Sequence, residues 1–133
     1  MTGLDTNVIV RYVMQDDPDQ SEIALRLFES FTPEDPGFIS VVALIETVWV
    51  LRSFYDASNQ QIRRVLEILL RARGVVVERS DLVWLALRAY SKGSADLEDH
   101  LIQVLGQAAG CEHTLTFDRQ ASKSAGMELL VSR

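Results

Sequence analysis

The sequence predicts an α/β fold, a central and mostly parallel sheet covered on both faces by helices. Three observations predict it. Short apolar or β-branched runs alternate with helical patterns along the chain, the order that builds strand–helix–strand units. Several helical stretches follow a residue type that caps helices. Two carboxylates, Asp5 and Asp118, directly follow strand-like runs, the place where open α/β sheets bind ligands.

The elements follow in order. Gly3–Asp5 reads as the end of a short strand, and 7–14 as a short helix. Asp17 caps the next helix with Pro18 at its first position, where a missing N–H costs nothing. That helix runs to about Ser30 with Ile23, Leu27 and Phe28 on its apolar face. The loop "TPEDPG" (32–37) leads into the strand "GFIS" (37–40). A strongly apolar helix spans 41–55, and Ser58 caps another through about Ala72. "GVVVE" (74–78) is a β-branched strand. Ser80 caps a helix to about Tyr90, and Ser94 caps one to about Ala109. "TLTF" (114–117) is a strand, 118–124 a short helix, and "ELLV" (128–131) the last strand.

A chain of 133 residues, 47% of them hydrophobic, suits one domain with one core, so residues 1–133 are read as a single unit. The longest unbroken apolar run, Val41–Ile45, is far shorter than the ~20 residues of a membrane span. No secretory leader is legible, and the lone Cys111 forms no internal disulfide. A cytoplasmic protein without membrane contact is expected. The net charge of −6 argues against broad, non-specific nucleic-acid binding and suits a basic partner.

The acids carry the chemistry. Glu46 sits inside "VVALIETVWVL", and its neighbours one helical turn away are Val42, Ala43, Trp49 and Val50, none charged. It either lines a polar cavity or reaches water from a helix edge. Asp96 and Asp99 share a helical face with His100, Gln103 and Gln107, opposite Leu97, Leu101, Val104 and Leu105. A solvated face is the plain alternative. Asp5 stands at the lip of an apolar stretch; it and Asp118 have helix capping as theirs. Taken together, carboxylates at two strand ends and on two helices can converge, and such a cluster repels itself unless a cation is present. Oxygen-only ligands suit Mg²⁺ or Mn²⁺. Ser40 and Thr116 end strands near these acids and either orient a ligand or satisfy backbone. His100 and His113 lack zinc spacing. Trp49 and Trp84 lie on apolar helical faces, read as core or interface.

"LDTNVIVRYV", "VVALIETVWVL", "ADLEDHLI" and "TLTFDR", in that order, resemble the four acidic signatures of PIN-domain ribonucleases, most of all VapC-type toxins of type II toxin–antitoxin modules. The resemblance implies a PIN-like three-layer α/β/α sandwich and metal-dependent endoribonuclease activity. It places the catalytic acids at Asp5, Glu46, Asp99 and Asp118. Asp5, Asp99 and Asp118 would hold Mg²⁺ or Mn²⁺, and Glu46 or Asp118 would serve as base. Asp96, Thr6, Asn7, Ser40 and Thr116 take secondary roles. His100 and Gln103 stand where relatives often carry small residues. The resemblance also implies a homodimer and a cognate antitoxin. Arg11, Arg52, Lys92 and Arg119 are candidate RNA contacts, and Arg63, Arg64, Arg71 and Arg73 a second basic patch. The alternative is a non-catalytic PIN-fold module that binds protein or RNA. A phosphorylated receiver domain would need a lysine after a late strand, and "ELLVSR" offers none.

Overall fold

A computed structural model describes residues 1–92 and 95–131. It divides into two compact units, Met1–Ser80 and Asp81–Arg133.

The first unit is built on a parallel sheet. Strand β1 (Thr2–Gly3) pairs with β2 (Gly37–Ile39), which pairs with β3 (Val75–Val77), so β2 is central. Phe38 lies between Gly3 and Val76 in register. Parallel neighbours need crossovers, and helices supply them. Helices α1 (Thr6–Met14) and α2 (Pro18–Ser30) connect β1 to β2; α3 (Val41–Phe54) and α4 (Asn59–Arg71) connect β2 to β3.

Capping explains where these helices begin. Asp17 accepts the Gln20 amide at 2.9 Å, with Pro18 in the first turn. Ser58 and Gln61 form a reciprocal capping box, each side chain accepting the other's amide. Ser40 Oγ accepts the Ala43 amide at 3.1 Å and so caps α3. In α4 the buried residues Ile62, Leu66 and Leu69 fall on one helical stripe, and α4 packs against β3. Burying each such side chain is worth roughly 1.5–3 kcal/mol. Thr47, fully buried in α3, is satisfied by donating to the Ala43 carbonyl at 2.8 Å.

Helix α2 departs from its sequence reading. Ser21, Ala24 and Phe28 are buried, whereas Ile23 is 68% exposed. Small residues let α1 and α2 approach, and the aromatic contact sets the packing. Tyr12 stacks on Phe28 with ring centroids 3.8 Å apart, and Phe28 meets Phe31 edge-on at 5.6 Å. Phe31 in turn covers two glycines. A Cβ on Gly37 would stand 2.5 Å from its ring, and one on Gly74 would stand 2.6 Å from its carbonyl oxygen.

The second unit holds α5 (Ser80–Tyr90), α6 (Leu97–Ala108), β4 (Leu115–Thr116), α7 (Arg119–Ser124) and β5 (Glu128–Leu129). Helix α5 includes Ser80 itself rather than starting after it. The residue preceding α6 is Asp96; Ser94, read as that cap, lies outside the described residues. β4 and β5 pair in parallel, and α7, which joins them, packs on both. Ala95, Ala121, Ala125 and Met127 form a small buried cluster. His100 is 3% exposed and belongs to the buried side of α6 with Leu97 and Leu101, not to a solvated face. The fold is thus α/β with parallel strands, but the described pairings form a three-stranded and a two-stranded sheet. Among the described residues no helix is long and apolar enough to cross a membrane.

Gly74→Ala is expected to destabilise the protein by ~1–3 kcal/mol, because its Cβ meets backbone that cannot step aside. Gly3→Ala, with nothing within 4 Å, is the control and is expected to stay within ~0.5 kcal/mol. Urea unfolding of both variants measures the difference. Equal effects would refute the steric account of Phe31.

Candidate active site

The parallel register brings the carboxyl ends of β1 and β2 to the same edge of the sheet. Asp5 follows β1 and begins α1. Its side chain is exposed, so no burial cost arises, contrary to its placement at the lip of a core. Asp5 Oδ1 accepts the Thr6 amide at 2.9 Å, and its carbonyl accepts from Val8 and Ile9. The carboxylate is thereby fixed to a helix N-terminus, where negative charge is favoured.

Glu46 is also exposed, on the outward stripe of α3 that includes Val42 and Trp49. It lines a cleft of about 500 Å³ together with Asp5, Thr6, Asn7 and Arg11. Both readings of Glu46 therefore hold in part: it reaches solvent from a helix edge, and it does so into a polar cleft shared with Asp5.

The lining of that cleft also includes Asp16, Phe54 and Tyr55, three residues that the sequence does not single out. Gln15 takes the left-handed conformation (φ 53°), ends α1 and turns the chain so that Asp16 comes back beside Arg11. Tyr55 Oη donates to Asp16 Oδ2 at 2.6 Å. Arg11 Nη1 reaches the Tyr55 hydroxyl at 3.4 Å and Asp16 Oδ1 at 3.6 Å, while Nε donates to Gln20 Oε1 at 2.8 Å. The phenol's hydrogen bond holds the Asp16 carboxyl below its usual range, and the same bond raises the Tyr55 hydroxyl. Asp16 and Tyr55 are 39 residues apart, and no local pattern signals their pairing.

In the second unit, Asp96, Asp99 and Asp118 are the candidate acids. Asp99 Oδ2 accepts the Asp96 amide at 3.3 Å. Partial burial pushes the Asp99 carboxyl above its usual range; the Asp96 amide opposes this, and the charges of Asp96, Asp118 and Glu98 add to it. Asp118 is exposed and caps α7, with Oδ1 accepting the amides of Gln120 at 2.8 Å and Ala121 at 3.3 Å. Thr116 Oγ1 accepts the Asp118 amide at 3.0 Å, so Thr116 holds the turn that presents the acid. Burial lowers the pKa of the adjacent His100, with the Asp99 charge opposing.

The proposed RNA contacts divide. Arg11 lines the cleft. Arg52 is half-buried in the last turn of α3 and is not among the cleft's lining residues. Lys92 is exposed after α5, and Arg119 is exposed as the first residue of α7, beside Asp118.

A family model of the PIN domain matches residues 4–126. The chain belongs to the PIN domain family. No curated protein matches it to a significant degree. PIN domains are generally nucleases and typically use divalent metals. The donor chemistry here fits such an ion: every candidate ligand is a hard carboxylate oxygen. Within either unit, no three His, Cys, Asp or Glu among the described residues stand grouped to hold a metal ion.

The raised Asp99 pKa has a stability consequence. Between the ordinary carboxylate value and the raised one, the folded chain binds a proton that the unfolded chain does not. Stability contributed by Asp99 is therefore lost as pH rises through that window. Asp99→Asn keeps an oxygen for the Asp96 amide and removes the charge. In EDTA at neutral pH it is expected to melt above wild type, with the gap closing towards about pH 3. A variant that melts below wild type at neutral pH would contradict the burial and repulsion described here.

Proposed function

We propose that the protein is a metal-dependent endoribonuclease and the VapC-type toxin of a type II toxin–antitoxin pair. The observation that carries this reading is the cleft of a PIN-family chain in which Asp5 and Glu46 stand together with Asn7 and Arg11. Asp5, Asp99 and Asp118 are the proposed ligands of Mg²⁺ or Mn²⁺, with Glu46 as the fourth catalytic acid. Such an ion, when bound, acidifies a water and offsets charge on the leaving oxygen of a phosphodiester.

The chain's own residues do the rest. Amides at two helix N-termini hold Asp5 and Asp118 in place, so little ordering is needed when RNA arrives. Arg11, tethered by Gln20, Tyr55 and Asp16, offers a guanidinium to a phosphate beside the acids. Glu46 or Asp118 takes a proton from the attacking water. Asp96 tunes Asp99 through its charge, with its amide opposing. The net charge of −6 and the acidic cleft suit an antitoxin that inserts a basic segment. A cytoplasmic homodimer completes the reading.

The second reading is a PIN-fold module that binds RNA or protein without cutting. Purified wild type is expected to cleave RNA with Mn²⁺ or Mg²⁺, to stop in EDTA and to recover when metal is returned. Asp5→Asn is expected to lose more activity than the roughly 10–100-fold typical of changes outside the ligand shell, with its melting temperature little changed. RNA ends mapped after induced expression, with Asp5→Asn as control, identify the cut sites. Undiminished cleavage in EDTA or by Asp5→Asn would defeat the proposal, and no cleavage by wild type would favour the binding module.

A further inference from the structure

The cleft holds a large aromatic surface with no assigned task. Phe54, the last residue of α3, is 73% exposed and lines the same cleft as Asp5, Glu46 and Arg11. Trp49, itself 53% exposed, meets Phe54 edge-on with centroids 5.7 Å apart. That contact steadies the Phe54 ring from one side while leaving it largely open to solvent. An aromatic held in this way offers a flat apolar face at little further entropic cost.

We propose that Phe54 is a base-stacking subsite, on which an unpaired base of the RNA rests while Arg11 engages a neighbouring phosphate. The inference rests on the nuclease reading in taking RNA as the occupant of the cleft. Charge favours it. A chain of net charge −6 offers no broad basic footprint to phosphates, so a stacking contact adds affinity beyond that of Arg11. Stacking supplies it without a basic footprint, and every base has a face to offer. The neighbours of Phe54 exclude a purely apolar occupant. Asp5, Asn7, Arg11, Asp16 and Glu46 border the same space, and an apolar protein face would strip them of water without providing partners. A nucleotide carries both an apolar base and polar groups for such a wall.

The test is equilibrium binding in EDTA, which needs no cleavage. The probes are a short fluorescein-labelled oligoadenylate and an abasic sugar–phosphate strand of equal length. Phe54→Leu is expected to weaken oligoadenylate binding about five-fold or more, the lower end of what one stacked base contributes. Phe54→Trp is expected to keep wild-type affinity, and binding of the abasic strand is expected to be equal for all three proteins. Circular dichroism and solution mass of the variants are expected to match wild type, since the ring is exposed. Four results would overturn the proposal: no oligoadenylate binding by wild type, unchanged oligoadenylate binding by Phe54→Leu, equal losses on both probes, or a change in solution mass. The last would make Phe54 a contact between copies. Phe54-dependent binding without metal-dependent cleavage would leave the subsite standing and remove the nuclease reading. Asp5-dependent cleavage with unaltered binding by Phe54→Leu would do the reverse.

Discussion

Parallel pairing in the first unit constrains everything built on it. Because β1, β2 and β3 run the same way, their carboxyl ends leave the sheet along one edge, and Asp5, Ser40 and Glu78 follow them there. The residues after β1 and β2 each begin a helix. Asp5 and Ser40 answer that demand with side-chain oxygens on amides, and Glu78 reaches across to accept the Val41 amide at 2.8 Å. The same edge that must terminate strands and start helices thus collects hydrogen-bonding oxygens. One of those oxygens, on Asp5, also faces a cleft.

Capping and ligation use the same carboxylate differently. Both amides at Asp118 bond to Oδ1. At Asp5 the amide of Thr6 likewise bonds to Oδ1. A cap worth about 1 kcal/mol orients the group while engaging one of its two oxygens. This explains why the capping alternative for Asp5 and Asp118 and the catalytic one do not compete. Asp99 differs, because burial and neighbouring charge work against its ionised form, and a bound cation would relieve both.

The legible parts of this fold were those with local causes. Asp17–Pro18 and Ser58–Gln61 mark helix starts by chemistry contained within four residues, and the structure places those helices as read. Apolar periodicity was less sufficient. Ile23 fits the stripe of α2 yet is exposed, because Ser21 and Ala24 admit the neighbouring helix and Phe28 finds Tyr12. His100 reads as polar but is buried beside Leu97 and Leu101. Strands of two or three residues carry too little pattern to show that β4 and β5 pair apart from the other three. The acids stand out by position, and the span matched by the PIN-domain family model, residues 4–126, includes all four. Arg11's partners were invisible, since Tyr55 joins Asp16 only after two helices and a left-handed turn bring them together.

The proposed cation site depends on the carboxylates of this chain, Asp5 foremost. Thermal melting in EDTA and in millimolar Mn²⁺ tests it without assuming any substrate, because an ion bound to the folded state alone raises apparent stability. Mn²⁺ is expected to raise the melting temperature of wild type, and Asp5→Asn is expected to lose most of that rise. Equal shifts in the two proteins, or none in wild type, would contradict it.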